Sequence, residues 1–304
     1  MLPLRHRHRS LTGQYAGPAG AAAGCPVPGR VTRAGEQGEN MDETQDQSVA
    51  RPASPGKHDG HRRPVRGKMW ELEGRWLMGR IAPRELLEGI GRYLRLETPE
   101  RKDELLALIR TRAEELEEAD RDLPVDGPSQ GMLALTTTVL AAYEALLPVF
   151  GEDQRRTILF LQHVLGAVAR RPFEIAFEAL GKREDALGAI EASCRQEAPF
   201  YGSYFSIAFD RQDADTFEMR AERCFFKDFF ARHGNPLLTT AVCAWDANWM
   251  RAVDPAVSGL RAERTSLMSL GDDACRFRVV RTGDPLAPYT DALDQRFSGG
   301  QAAG

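Results

Sequence analysis

The chain has 304 residues, of which 42% are hydrophobic and 28% charged, with a formal net charge of −4. That apolar content can build a core for one or two domains, and no apolar run approaches the roughly 18 residues of a membrane span. The charge is uneven: residues 1–68 carry 11 Lys and Arg against 6 Asp and Glu, and the remainder 29 against 38. The second part is mildly acidic, which argues against a nucleic-acid partner.

Residues 1–68 hold 7 of the 18 prolines and 10 of the 28 glycines, with almost no periodic apolar residues. Such a segment cannot bury enough surface to offset its chain entropy, so it is expected to be a disordered leader. Arg5, Arg7 and Arg9 precede an Ala/Gly run that ends at Cys25, but the run lacks the apolar stretch of a signal peptide. Met41 and Met69 are alternative starts, so the leader need not be native.

From Trp70 to Cys194 the hydrophobic period is helical, and residues 69–196 form a helical segment. Leu86, Leu87, Ile90 and Leu94 share a stripe over Arg84–Leu96. Thr98-Pro99 reads as an N-cap with Pro at the first helical position. The next helix carries Leu105, Leu108, Ile109 and Leu116 at helical spacing. Leu133–Phe150 and Thr157–Ala169 are apolar enough to be buried, and His163 lies in the second as a core or edge residue. Shorter helices are expected over Phe173–Leu180 and Glu184–Arg195.

After Pro199 the pattern changes. Phe200–Phe209 and Thr216–Arg223 alternate around the turn cluster Gln212–Asp215, which predicts a hairpin with one wet face. Phe225–Arg232 reads as a helix closed by Gly234, and Leu237–Val253 as a second. Leu260–Leu267 and Ala274–Arg281 form another hairpin through Gly271-Asp272-Asp273. The order β-β-α-α-β-β predicts an α+β fold: a four-stranded antiparallel sheet packed on helices over residues 197–285. Residues 286–304 are expected to be a disordered tail.

Three of the five cysteines, with His233 and Asp246, fall between Arg220 and Phe277. An odd number of irregularly spaced cysteines is no disulfide framework, and reduced thiols point to a cytoplasmic protein. Cys224 sits where strand gives way to helix, with Arg220, Arg223 and Lys227 nearby. Both features lower a thiol pKa, so Cys224 is either a nucleophile or the filler of a strand–helix corner. Cys243 and Asp246 share a helix face. Asp246 could orient a cationic substrate, act as a base, or pair with Arg264 across the sheet. Cys275 reads more readily as core. The cysteines are separated by gaps of 18 and 31 residues without a C-x-x-C pair, which disfavours metal. Nucleotide and standard hydrolase motifs are absent, and no cofactor is expected.

The elements R-C-F-F-K-D-F-F-x-x-x-G-x-P-x-L, C-x-x-D and R-T-x-x-L-x-x-G-x-x-x-C-x-F resemble the L-2-amino-thiazoline-4-carboxylic acid hydrolase family. The matching positions are Cys224, Gly234, Pro236, Cys243, Asp246, Arg264, Thr265, Gly271 and Cys275. The chain departs at Ser266-Leu267-Met268-Ser269, where a segment richer in Gly or Ala is expected. The resemblance implies a hydrolase that opens a small cyclic C–N/C–S compound, as in conversion of 2-aminothiazoline-4-carboxylate to N-carbamoyl-cysteine. Cys224, Asp246 and Cys243 would then be catalytic, and Arg264, Thr265, His233 and Cys275 would contact substrate, with Arg264 as carboxylate clamp. A small molecule is the expected partner, with neither nucleic acid nor membrane. The other readings are a sensor domain of vinyl-reductase-like type, which binds without turnover, and a helical interaction protein whose cysteines are core.

Overall fold

The structure, a computed structural model, describes residues 65–298. The chain divides into two units, Met1–Asp59 and Gly60–Gly304, and the described residues all belong to the second. Most of the expected leader therefore lies outside the described residues. Its last residues, from Val65, already belong to a helix.

Seven helices come first: α1 Val65–Trp76, α2 Ala82–Glu97, α3 Lys102–Ala119, α4 Gly127–Leu146, α5 Gln154–Leu165, α6 Arg170–Gly181 and α7 Ala186–Glu197. Aspartates start three of them. Asp126, Asp153 and Asp185 each accept a hydrogen bond from the backbone N–H three residues on, satisfying a donor that the first turn leaves free. Thr98 does not act as the expected N-cap. Its side chain caps nothing, a 3₁₀ turn over Pro99–Arg101 intervenes, and α3 begins at Lys102.

The sheet follows: β1 Ser206–Arg211, β2 Thr216–Arg223, then α8 Phe225–Arg232, α9 Thr239–Ala252 and the single turn α10 Pro255–Ser258, then β3 Leu260–Ser266, β4 Cys275–Arg281 and β5 Thr290–Asp291. The strand order is β1-β2-β4-β3-β5. The first four strands are antiparallel in register pairs such as Met219 with Phe277 and Arg264 with Phe277. The expected four-stranded antiparallel sheet is therefore a five-stranded mixed one. The extra strand β5 pairs parallel to β3 through Glu263–Thr290 and Arg264–Asp291. It lies in the stretch expected to be a disordered tail. A two-residue strand is too short to show any alternation, so sequence pattern could not announce it. β1 also starts later than the aromatic run suggests, because Ala198–Tyr201 forms a 3₁₀ turn.

Alternation along the central strands sorts their side chains onto two faces. Phe217, Phe277, Val279, Leu260 and Ala262 are buried under the sheet. On the other face Arg278 reaches Glu218 and Glu263 at 4.0 and 3.5 Å, a laced charged surface. Two apolar cores result. One joins α2, α3, α4 and α5 to the four phenylalanines of α8, Phe225, Phe226, Phe229 and Phe230. The other lies between the sheet and α6, α7 and the second half of α9. Helix α9 belongs to both, with Val242 and Trp245 in the first and Trp249 and Met250 in the second. Cys224 packs against both cores. Among the described residues no helix is long and apolar enough to cross a membrane.

Candidate active site

Two cavities of about 50 Å³ each open where the sheet meets α9. The first is walled by Cys224, Cys243, Cys275, Phe226, Phe277 and Ile207, among others. The second is walled by Phe173, Phe177, Trp245, Trp249, Cys194 and Glu197. Tyr201, Met219 and Asp246 line both, so they stand at the junction.

Of the residues picked from sequence, Cys224, Cys243, Asp246 and Cys275 converge on this space. Strand alternation places Cys275 and Phe277 on the inner face of β4, and the i, i+3 spacing puts Cys243 and Asp246 on one side of α9. His233 and Thr265 do not belong. His233 ends α8 at the far end from Cys224, where its Nε2 lies 2.7 Å from Asp120 and its ring packs on Phe229 at 4.6 Å. Thr265 is exposed at the bulge between Arg264 and Ser266. The departing segment does touch the site, since Ser269 Oγ lies 3.6 Å from Cys243 Sγ.

Arg264 is not a free clamp. It is buried, donating from Nε and Nη2 to both oxygens of Asp291 at 2.8 and 2.6 Å, and from Nη1 to the Cys243 carbonyl at 2.8 Å. Its guanidinium also lies over the Phe277 ring at 5.6 Å. The two-pronged carboxylate match expected for substrate is thus made by a residue of β5. Asp291 went unnoticed because it stands in the stretch read as tail, outside the strand pattern.

Asp246 is different. Among the described residues its carboxylate has one charged partner, Arg264 Nη1 at 3.5 Å, already engaged elsewhere. Burial pushes its pKa up to about 6, against the pull of Arg264 and with a further push from Asp291. That value suits a group that must both take and return a proton near neutral pH. The expected pairing of Asp246 with Arg264 is therefore present, but it leaves the carboxylate available to the cavity.

The thiols run against expectation. Burial, with the neighbouring Cys243, drives Cys224 well above the ordinary thiol range despite its helix N-cap position. Burial likewise raises Cys243 to about 12 and Cys275 to about 11. The cations expected to help Cys224 are spent elsewhere: Arg223 over the Tyr204 ring at 4.1 Å, Arg220 on Glu222 at 2.8 Å, and Lys227 at 4.0 Å from Asp228. Sequence proximity does not supply a field when the side chains point away. All three thiols are protonated at neutral pH.

Tyr201 is the residue that sequence reasoning missed. It sits on the 3₁₀ turn before β1, and burial with the Asp246 charge keeps its hydroxyl neutral. The turn is held from two sides. Gly74 of α1 lies against it so closely that a Cβ would come 2.1 Å from the Phe200 carbonyl oxygen. Asp126 accepts from Ser203 N and Oγ at 2.5 and 2.8 Å, beside Gly202 at φ +70°. Among the described residues no group of three or more His, Cys, Asp or Glu side chains is placed to hold a metal ion.

Residues 136–279 match the family model described as L-2-amino-thiazoline-4-carboxylic acid hydrolase, the family that the sequence resembles. The match runs from α4 to β4 and takes in Cys224, Cys243, Asp246, Arg264 and Cys275, but ends before Asp291. No curated protein matches the chain, nor does any solved structure.

Proposed function

We propose that the paired cavities hydrolyse a small cyclic amidine of the isothiourea type, the chemistry that the family description implies, with Asp246 as general base and acid. The observation that carries this reading is the Asp246 carboxylate at the junction of the cavities, with its pKa lifted to about 6. As carboxylate it takes a proton from a water whose oxygen adds to C2 of the ring. The ring nitrogen is already protonated in the amidinium, so the neutral adduct collapses with cleavage of the C2–S bond as its new hydroxyl becomes the urea carbonyl and releases its proton to solvent. Asp246 returns the proton to the departing sulfur, giving a urea and a free thiol. The Cys224, Cys243 and Cys275 thiols, held protonated by burial, shape the pocket and do not attack. This replaces the covalent route in which Cys224 is the nucleophile.

The test is turnover of 2-aminothiazoline-4-carboxylate and of its relative without the carboxylate, 2-amino-2-thiazoline, with the carbamoyl product followed by mass spectrometry. Wild-type protein should give product and Asp246→Asn should lose about 10²–10⁴-fold in rate, the usual weight of a general base. Binding of either compound without product would favour the sensor reading instead.

A further inference from the structure

Among the described residues, no Lys, Arg or His lines the two cavities. Their walls do include two carboxylates, Asp246 and Glu197, and a set of aromatic rings: Phe173, Phe177, Trp245, Trp249 and Tyr201. Arg264, 3.5 Å from Asp246, has its charge matched by Asp291. Glu197 is reached by the Ser193 hydroxyl at 2.5 Å, and burial followed by Glu73 shifts its pKa upward. Trp245 donates its indole N–H to the Val168 carbonyl at 3.0 Å, so it has no donor left for an anion and its ring carbons face the space. Phe173 meets Trp245 edge-on at 5.3 Å, and Phe177 lies tilted on Trp249 at 5.5 Å.

A negatively polarised aromatic wall with carboxylates is the chemistry that recognises an organic cation. It repels an anion, which would enter a low-dielectric space without a cationic partner. We infer that this site takes a one-ring cationic amidine that carries no carboxylate, with the amidinium on Asp246 and Glu197 and the ring against Phe177 and Trp249. The inference rests on the hydrolase reading only for the amidine; selection of a cation over a carboxylate-bearing ligand stands on the walls themselves. About 50 Å³ on either side of Asp246 limits the ligand to a single small ring, far below the ~300–1,000 Å³ of a drug-sized pocket.

The experiment is calorimetric titration of the full chain at pH 7.5 with 2-amino-2-thiazoline and, separately, with 2-aminothiazoline-4-carboxylate. The compound without carboxylate should bind at least about tenfold more tightly. Glu197→Gln should weaken it about five- to tenfold while leaving the carboxylate-bearing compound unchanged or improved. Equal or tighter wild-type binding of the carboxylate-bearing compound overturns the inference, as does failure of both to bind. This wild-type comparison stands even if Glu197→Gln does not fold. Preferential binding of the cation without product would retain the inference while removing the hydrolase reading, so the two fail separately.

Discussion

In the proposed hydrolysis Asp246 acts through a carboxyl whose pKa burial raises to about 6. In the unfolded chain it returns to the ordinary value of 3.8, so the folded state binds the proton more tightly. The resulting stabilisation is fully present below pH 3.8 and is lost as pH rises through about 6. Relative to Asp246→Asn, wild-type protein should gain up to about 3 kcal/mol on going from pH 7 to pH 4. Thermal melts of both proteins across that range measure it, and a constant difference would contradict the assignment. Activity should move in the other sense, with kcat/KM falling about tenfold per unit below pH 6 as the base is protonated. The thiols give a contrasting expectation. With Cys224 protonated, Cys224→Ala should keep kcat/KM within about tenfold of wild type, whereas loss of a covalent nucleophile would abolish it. Iodoacetamide at neutral pH should label none of Cys194, Cys224, Cys243 and Cys275 before unfolding, and peptide mapping keeps Cys25 apart.

Among the elements, two short pieces hold the site in place. Strand β5 contributes Asp291, which is 3% exposed and bound through both oxygens to a guanidinium that is itself 1% exposed. Arg264→Met leaves Asp291 buried without its partner and should cost about 3–5 kcal/mol, read from denaturant unfolding. The 3₁₀ turn that bears Tyr201 depends on Asp126. Burial pushes that carboxyl up, but hydrogen bonds from Ser129 and Ser203 outweigh it and hold the pKa below the usual range. Asp126→Ala removes the cap of α4 and the tether of the turn together. A loss of about 1–2 kcal/mol is expected for the cap alone. A raised KM should accompany it if the turn positions Tyr201, whereas an unchanged KM would confine Asp126 to stability.

At the scale of the whole molecule, α9 threads both apolar cores, so the helical and sheet parts should unfold in one cooperative transition. Near- and far-UV circular dichroism with coincident midpoints would support that; two separated midpoints would not. Wherever period and caps were strong, the elements were legible in the sequence. The Phe225–Phe230 stripe gave α8, and the alternation of Phe217, Met219 and Ala221 gave β2. The meeting of Cys224, Cys243, Asp246 and Cys275 was legible as well, because each lay on an element whose face the pattern set. What escaped was long-range and side-chain in origin. Arg264 read as a substrate clamp because its partner lay 27 residues away on a strand of two residues. His233 read as a site residue because Asp120 lay 113 residues away. Tyr201 escaped because a 3₁₀ turn has no period to read. The thiol chemistry was misjudged for a related reason: local sequence names the charges near a group but not the water removed from it.

The Arg264–Asp291 pair has one more consequence, for how readily the site's preference could change. A guanidinium already stands 3.5 Å from Asp246, held bidentately by Asp291. Asp291→Asn keeps the shape of that neighbour but removes its charge, leaving the buried guanidinium beside Asp246 without its bidentate partner. The pocket would then hold a latent anion receptor next to its base, and 2-aminothiazoline-4-carboxylate should gain on 2-amino-2-thiazoline. Asp291→Asn thus tests how far one side chain, beyond the stretch that matches the family, adds to the charge preference proposed for the cavity walls.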